Sequence, residues 1–235
     1  LCDRRQRQMC IRDRAKPELE ACSFCINDPE AIKGKWRNEF GNSKPVYLEL
    51  GCGKGGFISK AASSDCGKNF IAVDIKNEML VLAKRKIEAE YEKNSLKFDN
   101  IRIFIKNIMQ IDSVFSKEDG IERIYINFCN PWPKSKHKKR RLTHYRQLIK
   151  YKEFLNGEIW FKTDDDDLFA ESVEYFEQAG YKIKYKTYHP KKEGMADSKK
   201  SSFNRFFFIG FLLSQTHLGF SNELLAPANQ DSHAS

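Results

Sequence analysis

Residues 46–62, VYLELGCGKGGFISKAA, predict the fold of this chain. The first five are mostly apolar and suit a short buried strand, which runs directly into a glycine-rich loop. Apolar side chains then recur at helical spacing, at Phe57, Ile58, Ala61 and Ala62. A strand, a glycine-rich turn and a helix in this order form the first unit of an alternating α/β fold.

The rest of the chain repeats this alternation. Further strands are predicted at residues 69–73, 101–105, 124–128 and 157–162, and helices at 76–93, around 148–149 and at 169–180. Two last strands, 181–188 and 204–213, follow the final helix. Strand and helix alternate five times before that pair. This predicts a doubly wound, mostly parallel seven-stranded α/β sheet with right-handed crossovers and a closing antiparallel hairpin.

The chain of 235 residues, 40% of them hydrophobic, can bury one sizeable core, and residues 15–213 are predicted to form a single domain. Residues 1–14 hold five Arg and no Lys, whereas residues 15–235 hold eight Arg and 28 Lys. This switch marks residues 1–14 as a foreign or disordered arm, with a basic arm for nucleic acid as the alternative. Residues 214–235 lack periodicity and are expected to be a disordered or aberrant tail.

Composition also bears on location and metal chemistry. No apolar run approaches the roughly 20 residues that span a bilayer, and the first residues are charged, unlike a signal peptide. Seven Cys without a framework spacing are typical of reduced thiols in a cytoplasmic protein. The CxxC formed by Cys22 and Cys25 has no second pair and no nearby His, so no metal site is predicted.

Residues 124–146, IYINFCNPWPKSKHKKRRLTHYR, contain a basic segment at residues 134–141. From Arg123 to Lys152, both included, there are ten Lys or Arg and no carboxylate, whereas the remaining 205 residues hold 31 basic and 32 acidic side chains. Such concentrated positive charge beside a strand end predicts contacts with a phosphate backbone. The residues expected to make them are Lys136, His137, Lys138, Lys139, Arg140 and Arg141.

Gly51, Gly53 and Gly56 match the pattern GxGxxG, and Asp74 follows about 20 residues later at the end of the next strand. Together they predict a nucleotide-cofactor loop, with Asp74 accepting hydrogen bonds from ribose hydroxyls; the alternative is a tight turn after a core strand. The carboxylate of Glu49 lies beside the loop, where it would repel a pyrophosphate and attract an ammonium or a sulfonium. This favours S-adenosylmethionine over NAD as the cofactor.

Polar side chains at three further strand ends are candidates for the same site. Asn107 is expected near the adenine or is a turn-forming Asn. Asn130 begins the stiff sequence Asn-Pro-Trp-Pro, which suits a flat base with a nitrogen to be methylated; the alternative is a rigid turn with Trp132 in the core. Asp164 is placed to accept hydrogen bonds from a guanine edge, while residues 165–167 suit a helix start.

Three segments resemble the bacterial tRNA (guanine-N7)-methyltransferase family: LELGCGKGGF (48–57), FCNPWPKSKHKKRRLTH (128–144) and FKTDDD (161–166). The resemblance extends from about Lys16 to Tyr188. The middle block is highly specific, whereas the glycine loop indicates only the wider class of methyltransferases. The resemblance implies a Rossmann-like class I methyltransferase that transfers a methyl group from S-adenosylmethionine to N7 of a guanine in the tRNA variable loop.

Residue by residue, the resemblance implies S-adenosylmethionine contacts for Glu49, Asp74, Asn107 and Asn130. It also implies the catalytic role for Asn130 and substrate guanosine contacts for Lys134 and Asp164. Two departures stand out. Asn130 occupies a position where many members have Asp, and nothing after Tyr188 matches the family's Thr-x-x-Glu-like guanine-binding motif.

Three other functions fit parts of the sequence. Asn-Pro-Trp-Pro is similar to the [D/N]PP[Y/F/W] motif of methyltransferases that act on adenine or glutamine nitrogens. A non-catalytic RNA-binding protein on a methyltransferase fold is the second, and an NAD-dependent enzyme, which Glu49 disfavours, is the third. The expected partner is tRNA, with no membrane and no metal, and both a monomer and a homodimer are compatible with the sequence.

Overall fold

The computed structural model describes residues 15–189 and 206–213. Its helices are α1 (Trp36–Phe40), α2 (Ile58–Ser64), α3 (Asn77–Lys93), α4 (Tyr145–Lys152) and α5 (Asp166–Gln178), and residues 15–20 are also helical. The strands are β1 (Val46–Leu50), β2 (Asn69–Asp74), β3 (Ile101–Ile105), β4 (Ile121–Asn127), β5 (Leu155–Thr163), β6 (Tyr181–His189) and β7 (Phe206–Leu213). Short 3-10 helices span Ile108–Ser113, Lys117–Asp119 and Ser135–Arg140.

Five strands form a parallel sheet in the order β3-β2-β1-β4-β5. Leu48 of the central strand β1 lies opposite Ile71 of β2 and Ile124 of β4. β7 runs antiparallel to β5 and β6 and extends the sheet to seven strands. The predicted parallel α/β sheet is confirmed in the first five strands. The connection between β6 and β7, residues 190–205, lies outside the described residues, as do 1–14 and 214–235, so the closing hairpin and both terminal segments stay predictions.

Alternate side chains of β1 belong to two apolar cores, because successive residues of a strand face opposite sides of a sheet. Leu48 and Leu50 pack in one core and Tyr47 in the other. The first core contains the fully buried Trp36, whose indole N–H donates to the carbonyl of Val114 at 3.1 Å. Burial on both faces accounts for the nearly continuous apolar sequence of the parallel strands.

Most predicted elements lie where the sequence patterns place them, with differences in extent. β4 and β5 begin earlier than predicted, at Ile121 and Leu155. The helix expected near Leu148 is confirmed as α4, but the basic segment before it forms a separate 3-10 helix. The stop at Gly180 is also confirmed, because its φ is 73° and its N–H donates to the carbonyl of Glu177 at 2.8 Å.

Candidate active site

A predicted site residue stands at the end of each parallel strand. Asp74 ends β2, whereas Gly51, Asn107, Asn130 and Asp164 follow β1, β3, β4 and β5. Because the strands are parallel, all five residues lie along the carboxyl edge of the sheet, where such folds bind ligands. A cleft of about 730 Å³ opens at this edge. The predicted site residues that line it are Gly51, Asp74, Asn107, Asn130 and Arg140.

The glycine loop, residues 51–56, is held by its backbone. The N–H groups of Gly51 and Cys52 donate to the carbonyl of Val73 in β2, at 2.9 and 3.0 Å. Gly55 has a φ of 70°, and a Cβ added there would lie 2.7 Å from Cα of Ala83 in α3. A side chain at Gly55 would therefore be strained and would meet backbone, so this position requires glycine.

Asp74 joins the glycine loop to the start of α3. Its carboxylate accepts hydrogen bonds from the N–H of Gly53 at 2.9 Å and from the N–H of Lys76 at 3.0 Å, one at each oxygen. These bonds fix the carboxylate, while each oxygen keeps further acceptor capacity. Since Asp74 lines the cleft, that remaining capacity suits the two hydroxyls of a ribose.

Glu49 is buried next to the site and does not itself line the cleft. Its Oε1 accepts a hydrogen bond from Nδ2 of Asn127 at 3.1 Å, whereas Oε2 has no hydrogen-bond partner within the described residues. Burial raises the pKa of Glu49 to about 7, although the hydrogen bond from Asn127 and the backbone N–H of Ile58 act in the opposite direction. A buried carboxylate with an unpaired oxygen is unfavourable, and a nearby cation would reduce that cost. The residues present therefore fit a positively charged cofactor.

Asn107 has the turn-forming role that the sequence left open. Its Oδ1 accepts a hydrogen bond from the N–H of Met109 at 3.1 Å and caps the 3-10 helix Ile108–Ser113. The same residue lines the cleft. Capping therefore fixes the Asn107 side chain at the rim of the site. This location is compatible with the predicted position of Asn107 near an adenine.

The Asn-Pro-Trp-Pro loop, residues 130–133, forms another wall of the cleft. Asn130 is exposed, and its Oδ1 accepts a hydrogen bond from the N–H of Trp132 at 3.1 Å. Phe128 and Trp132 have φ values of 50° and 44°, which are uncommon for residues other than glycine and concentrate at functional sites. Trp132 is only partly buried and lines the cleft, so the alternative that places it in the core is wrong.

Four of the six residues predicted to contact a phosphate backbone are accessible beside this loop. Lys136, Lys139 and Arg140 are exposed, and the guanidinium of Arg140 lies 5.3 Å from the centroid of the Trp132 ring. The ring of His137 is half-buried, 5.8 Å from the same ring. All four remain candidates for contact with a phosphate backbone.

Arg141 and Lys138 are bonded to the protein itself. Arg141 is only 1% exposed, and its guanidinium donates to Glu171 at 2.9 Å and to the carbonyl of Pro131 at 2.6 Å. Lys138 donates to the other oxygen of Glu171 at 2.6 Å. The prediction that Arg141 contacts a phosphate backbone is therefore wrong, because its guanidinium is buried and already paired. Glu171 lies in α5, 30 residues further along, so the basic segment alone gave no sign of it.

Lys134 and Asp164, expected to hold a guanosine, are exposed at the same edge of the sheet but do not line the cleft. Lys134 is the residue that precedes the 3-10 helix Ser135–Arg140. Asp164 precedes Asp165, which caps α5 by accepting a hydrogen bond from the N–H of Leu168 at 2.7 Å. The helix-start interpretation of Asp165 is confirmed, and the substrate roles of Lys134 and Asp164 stay predictions.

The sequence patterns missed the apolar part of the cleft. Its lining includes Ile75, Met79, Ile108, Met109, Phe128 and Leu142. These residues come from separate segments, and each looks like an ordinary helix, strand or loop residue in its own context. The clearest signal in the sequence was Ile75, an apolar residue directly after Asp74 at the end of a strand. The structure leaves its side chain 54% exposed. The contact of Asn127 with Glu49 was also missed, because 78 residues separate the two.

Two absences apply to residues 15–189 and 206–213. None of the helices described there is long and apolar enough to cross a membrane. The described residues also contain no cluster of three or more His, Cys, Asp or Glu side chains placed to hold a metal ion.

Comparisons with known proteins agree with this architecture. A family model described as "Putative methyltransferase" matches residues 43–203. Among solved structures, the precorrin-6y C5,15-methyltransferase of Geobacter metallireducens GS-15 aligns with a TM-score of 0.50 at 15% sequence identity. The alignment covers 78% of this chain and 87% of that one. At this identity the likeness concerns the fold, which is that of the Rossmann-like methyltransferases.

Sequence relatives are much more similar. The tRNA (guanine-N(7)-)-methyltransferase of Clostridium beijerinckii is 59% identical over 176 residues, which cover 74% of this chain and 80% of that protein. The protein of the same name from Ruminiclostridium cellulolyticum is 57% identical over 187 residues, covering 78% of this chain and 79% of that protein. The chain therefore belongs to the tRNA (guanine-N(7)-)-methyltransferase family.

Proposed function

We propose that this enzyme transfers the methyl group of S-adenosylmethionine to N7 of a guanine in the variable loop of tRNA. One observation carries the proposal: a single cleft is lined by Gly51 and Asp74 and also by Asn130, Trp132 and Arg140. The first two residues suit a nucleotide cofactor, and the other three suit a base and its phosphate backbone. A methyl donor and a guanine bound to these residues would meet in one cavity.

The cleft residues match the parts of the cofactor. Asp74 would accept hydrogen bonds from the ribose hydroxyls, with Gly51 and Gly53 allowing close approach of the backbone. The buried carboxylate of Glu49 would compensate positive charge at the amino-acid end. Apolar side chains of the lining would cover the adenine beside Asn107. When bound, the cofactor supplies an electrophilic methyl group.

Methylation at N7 depends on positioning more than on proton transfer. N7 carries a lone pair and no proton, so no strong general base is required. The side chain of Asn130 would orient the guanine, and its carbonyl oxygen would stabilise the positive charge that passes to the base. Trp132 would offer a flat surface next to the base. The protein thus lowers the barrier by alignment and electrostatics.

The surface around the cleft suits tRNA. Lys136, Lys139 and Arg140 are exposed cations that follow the loop carrying Asn130 in sequence, and they would contact backbone phosphates. Lys134 and Asp164 would hold the target guanosine at the rim. A tRNA substrate also implies that the enzyme acts in the cytoplasm.

The test is methyl transfer from labelled S-adenosylmethionine to unmodified tRNA, followed by chemical cleavage specific for 7-methylguanosine. We expect label in the tRNA and a single cleavage in the variable loop. Cleavage elsewhere would support the reaction and refute the location. Label without cleavage would indicate an amino-group methyltransferase. Absence of label despite cofactor binding would indicate a non-catalytic RNA-binding protein.

A further inference from the structure

Arg140 and Arg141 are adjacent in sequence and have different surroundings. Arg140 is exposed beside Trp132, whereas Arg141 is 1% exposed and donates to Pro131 and Glu171. A buried guanidinium whose partners are both within the protein is not free to bind phosphate. Its contacts must therefore serve the protein, and one of them lies in the loop that lines the cleft.

Two hydrogen bonds meet at the peptide unit between Pro131 and Trp132. Its carbonyl oxygen accepts from Nε of Arg141 at 2.6 Å. Its N–H donates to Oδ1 of Asn130 at 3.1 Å. Because a peptide unit is planar, fixing the carbonyl also fixes the direction of the N–H, and with it the side chain of Asn130. The charged donor polarises the peptide and strengthens the N–H as a donor.

We propose that Arg141 is a positioning residue for methyl transfer: it holds the Pro131–Trp132 peptide unit and, through that unit, the side chain of Asn130 in the cleft. The catalytic consequence rests on the proposed function, in which Asn130 contacts the guanine. The geometric part, from Arg141 to Asn130, stands on the two hydrogen bonds alone.

The loop needs such an anchor because few of its own groups can hold it. Pro131 and Pro133 have no N–H to donate. Trp132 has a φ of 44°, a left-handed conformation that is unfavourable for a residue with a side chain and persists only when its surroundings impose it. A charge-assisted bond to the carbonyl before Trp132 supplies that constraint.

The guanidinium is itself fixed to a rigid element. Glu171 lies in α5, a helix of 13 residues, and accepts from Arg141 with one oxygen and from Lys138 with the other. A buried hydroxyl pair, Thr143 and Ser172 at 2.6 Å, ties the same two parts of the chain together. Through Arg141, the position of the loop therefore depends on α5. Lys138, which belongs to the same segment as the exposed cations, pairs with the same carboxylate.

The kinetic test compares Arg141→Gln with Arg102→Gln. Arg102 is a matched control, because it also pairs with a Glu, donates to a backbone carbonyl, is mostly buried and does not line the cleft. We expect Arg141→Gln to lower kcat for tRNA methylation about ten- to hundredfold, the effect of losing a charged hydrogen bond. KM for tRNA and the salt dependence of tRNA binding should stay as in the wild type. Arg102→Gln should keep the wild-type kcat.

A double-mutant cycle separates positioning from general damage. In an Asn130→Ala background, Arg141→Gln should lower kcat no further, because the side chain through which Arg141 acts is absent. Arg102→Gln should be as neutral there as in the wild type. Arg141→Lys, which keeps the charge without the planar fork, serves if Arg141→Gln does not fold, with a smaller loss expected.

A second readout does not need methyl transfer. The chain has three Trp, so labelling with ¹⁵N-tryptophan gives three backbone amide signals, one of them from Trp132. We expect the amide of Trp132 to exchange with solvent at least about ten times faster in Arg141→Gln, because its hydrogen bond to Asn130 is no longer held. The exchange of the Trp36 and Trp160 amides should not change, nor should that of Trp132 in Arg102→Gln.

Three results would overturn the proposal. The first is a flatter salt dependence with an unchanged kcat, which would make Arg141 a phosphate contact. The second is an equal loss of kcat in the Asn130→Ala background, which would indicate general damage. The third is unchanged exchange of the Trp132 amide. A wild-type enzyme that binds S-adenosylmethionine without methylating tRNA would refute the proposed function, and the exchange rates would still decide the role of Arg141.

Discussion

The glycine loop and the basic segment border the same cleft and are held by different contacts. The loop is held through its own backbone: Gly51 donates to the carbonyl of Val73, Gly53 donates to the carboxylate of Asp74, and Gly55 packs on the backbone of Ala83. Side chains hold the basic segment, through two ion pairs with Glu171 in α5. The glycine loop is thus part of the framework of the sheet. The basic segment is attached to that framework by individual side-chain contacts.

These two kinds of anchoring should respond differently to substitution. A backbone contact at van der Waals distance leaves no room, so a single methyl group displaces the main chain. The side chains of the basic segment can be removed one at a time, and each loss then reports the contact of that side chain alone. We expect a large loss of stability from substitution in the loop, and smaller, separable effects on tRNA binding from the accessible cations Arg140 and Lys138 of the segment.

The largest effect is expected for Gly55→Ala. The added methyl group would meet Cα of Ala83 at 2.7 Å, in a residue with a φ of 70°. Overpacking and backbone strain together should lower the free energy of unfolding by roughly 3 kcal/mol or more. Gly41→Ala is the control: its φ is 64° but a Cβ there meets nothing within 4 Å, so only about 1 kcal/mol is expected. If chemical denaturation shows the same loss of unfolding free energy for Gly55→Ala and Gly41→Ala, the close packing of Gly55 on Ala83 is contradicted.

A pH-dependent effect is expected from Glu49. Its pKa is about 7 in the folded protein and 4.5 as the ordinary value, so between these pH values the folded state keeps a proton that the unfolded state has lost. The free energy of unfolding should therefore fall as pH rises from about 4.5 to 7, by up to roughly 3 kcal/mol. Glu49→Gln should remove this fall, and the exposed Glu92→Gln should not. If the free energy of unfolding, measured in urea, depends on pH identically in the wild type and in Glu49→Gln, the raised pKa of Glu49 is ruled out.

The smallest effects are expected for tRNA binding by Arg140 and Lys138 of the basic segment. Arg140→Gln should weaken tRNA binding about fivefold and make the plot of log affinity against log salt shallower by about one, because one exposed cation near the cleft is lost. Lys138→Gln should change the slope by less than half as much, since Lys138 is paired with Glu171. Filter-binding titrations at several salt concentrations measure both. Equal changes of slope for Arg140→Gln and Lys138→Gln would show that the ion pair with Glu171 does not keep Lys138 from contacting tRNA.

Features set by short stretches of chain were predictable. The five parallel strands follow from apolar runs, and the tight loop at residues 51–56 follows from glycine spacing. The caps by Asn107 and Asp165 were also expected as alternatives, because a cap joins a side chain to a backbone N–H two or three residues away. In each case the residues that decide the structure are neighbours in sequence.

Features set by contacts between distant residues were not predictable. The uniform charge of the basic segment predicted that all its cations contact phosphates. In the structure Glu171, 30 residues further along the chain, pairs with Arg141 and so separates it from the exposed cations. Glu49 was placed beside the cofactor, yet its burial and its bond to Asn127 could not be seen in the sequence. A charge pattern does not show which side chains the fold will bury.

The most direct test of the account is calorimetric binding of S-adenosylmethionine to the wild type and to Asp74→Ala, with Asp99→Ala as a control at an exposed position. Asp74 is central because it fixes Gly53 and also faces the cleft. We predict that the wild type and Asp99→Ala bind alike, and that Asp74→Ala binds about a hundredfold more weakly, since hydrogen bonds to a charged acceptor are lost. Equal affinity of Asp74→Ala and wild type would contradict the assignment of this edge of the sheet as the cofactor site.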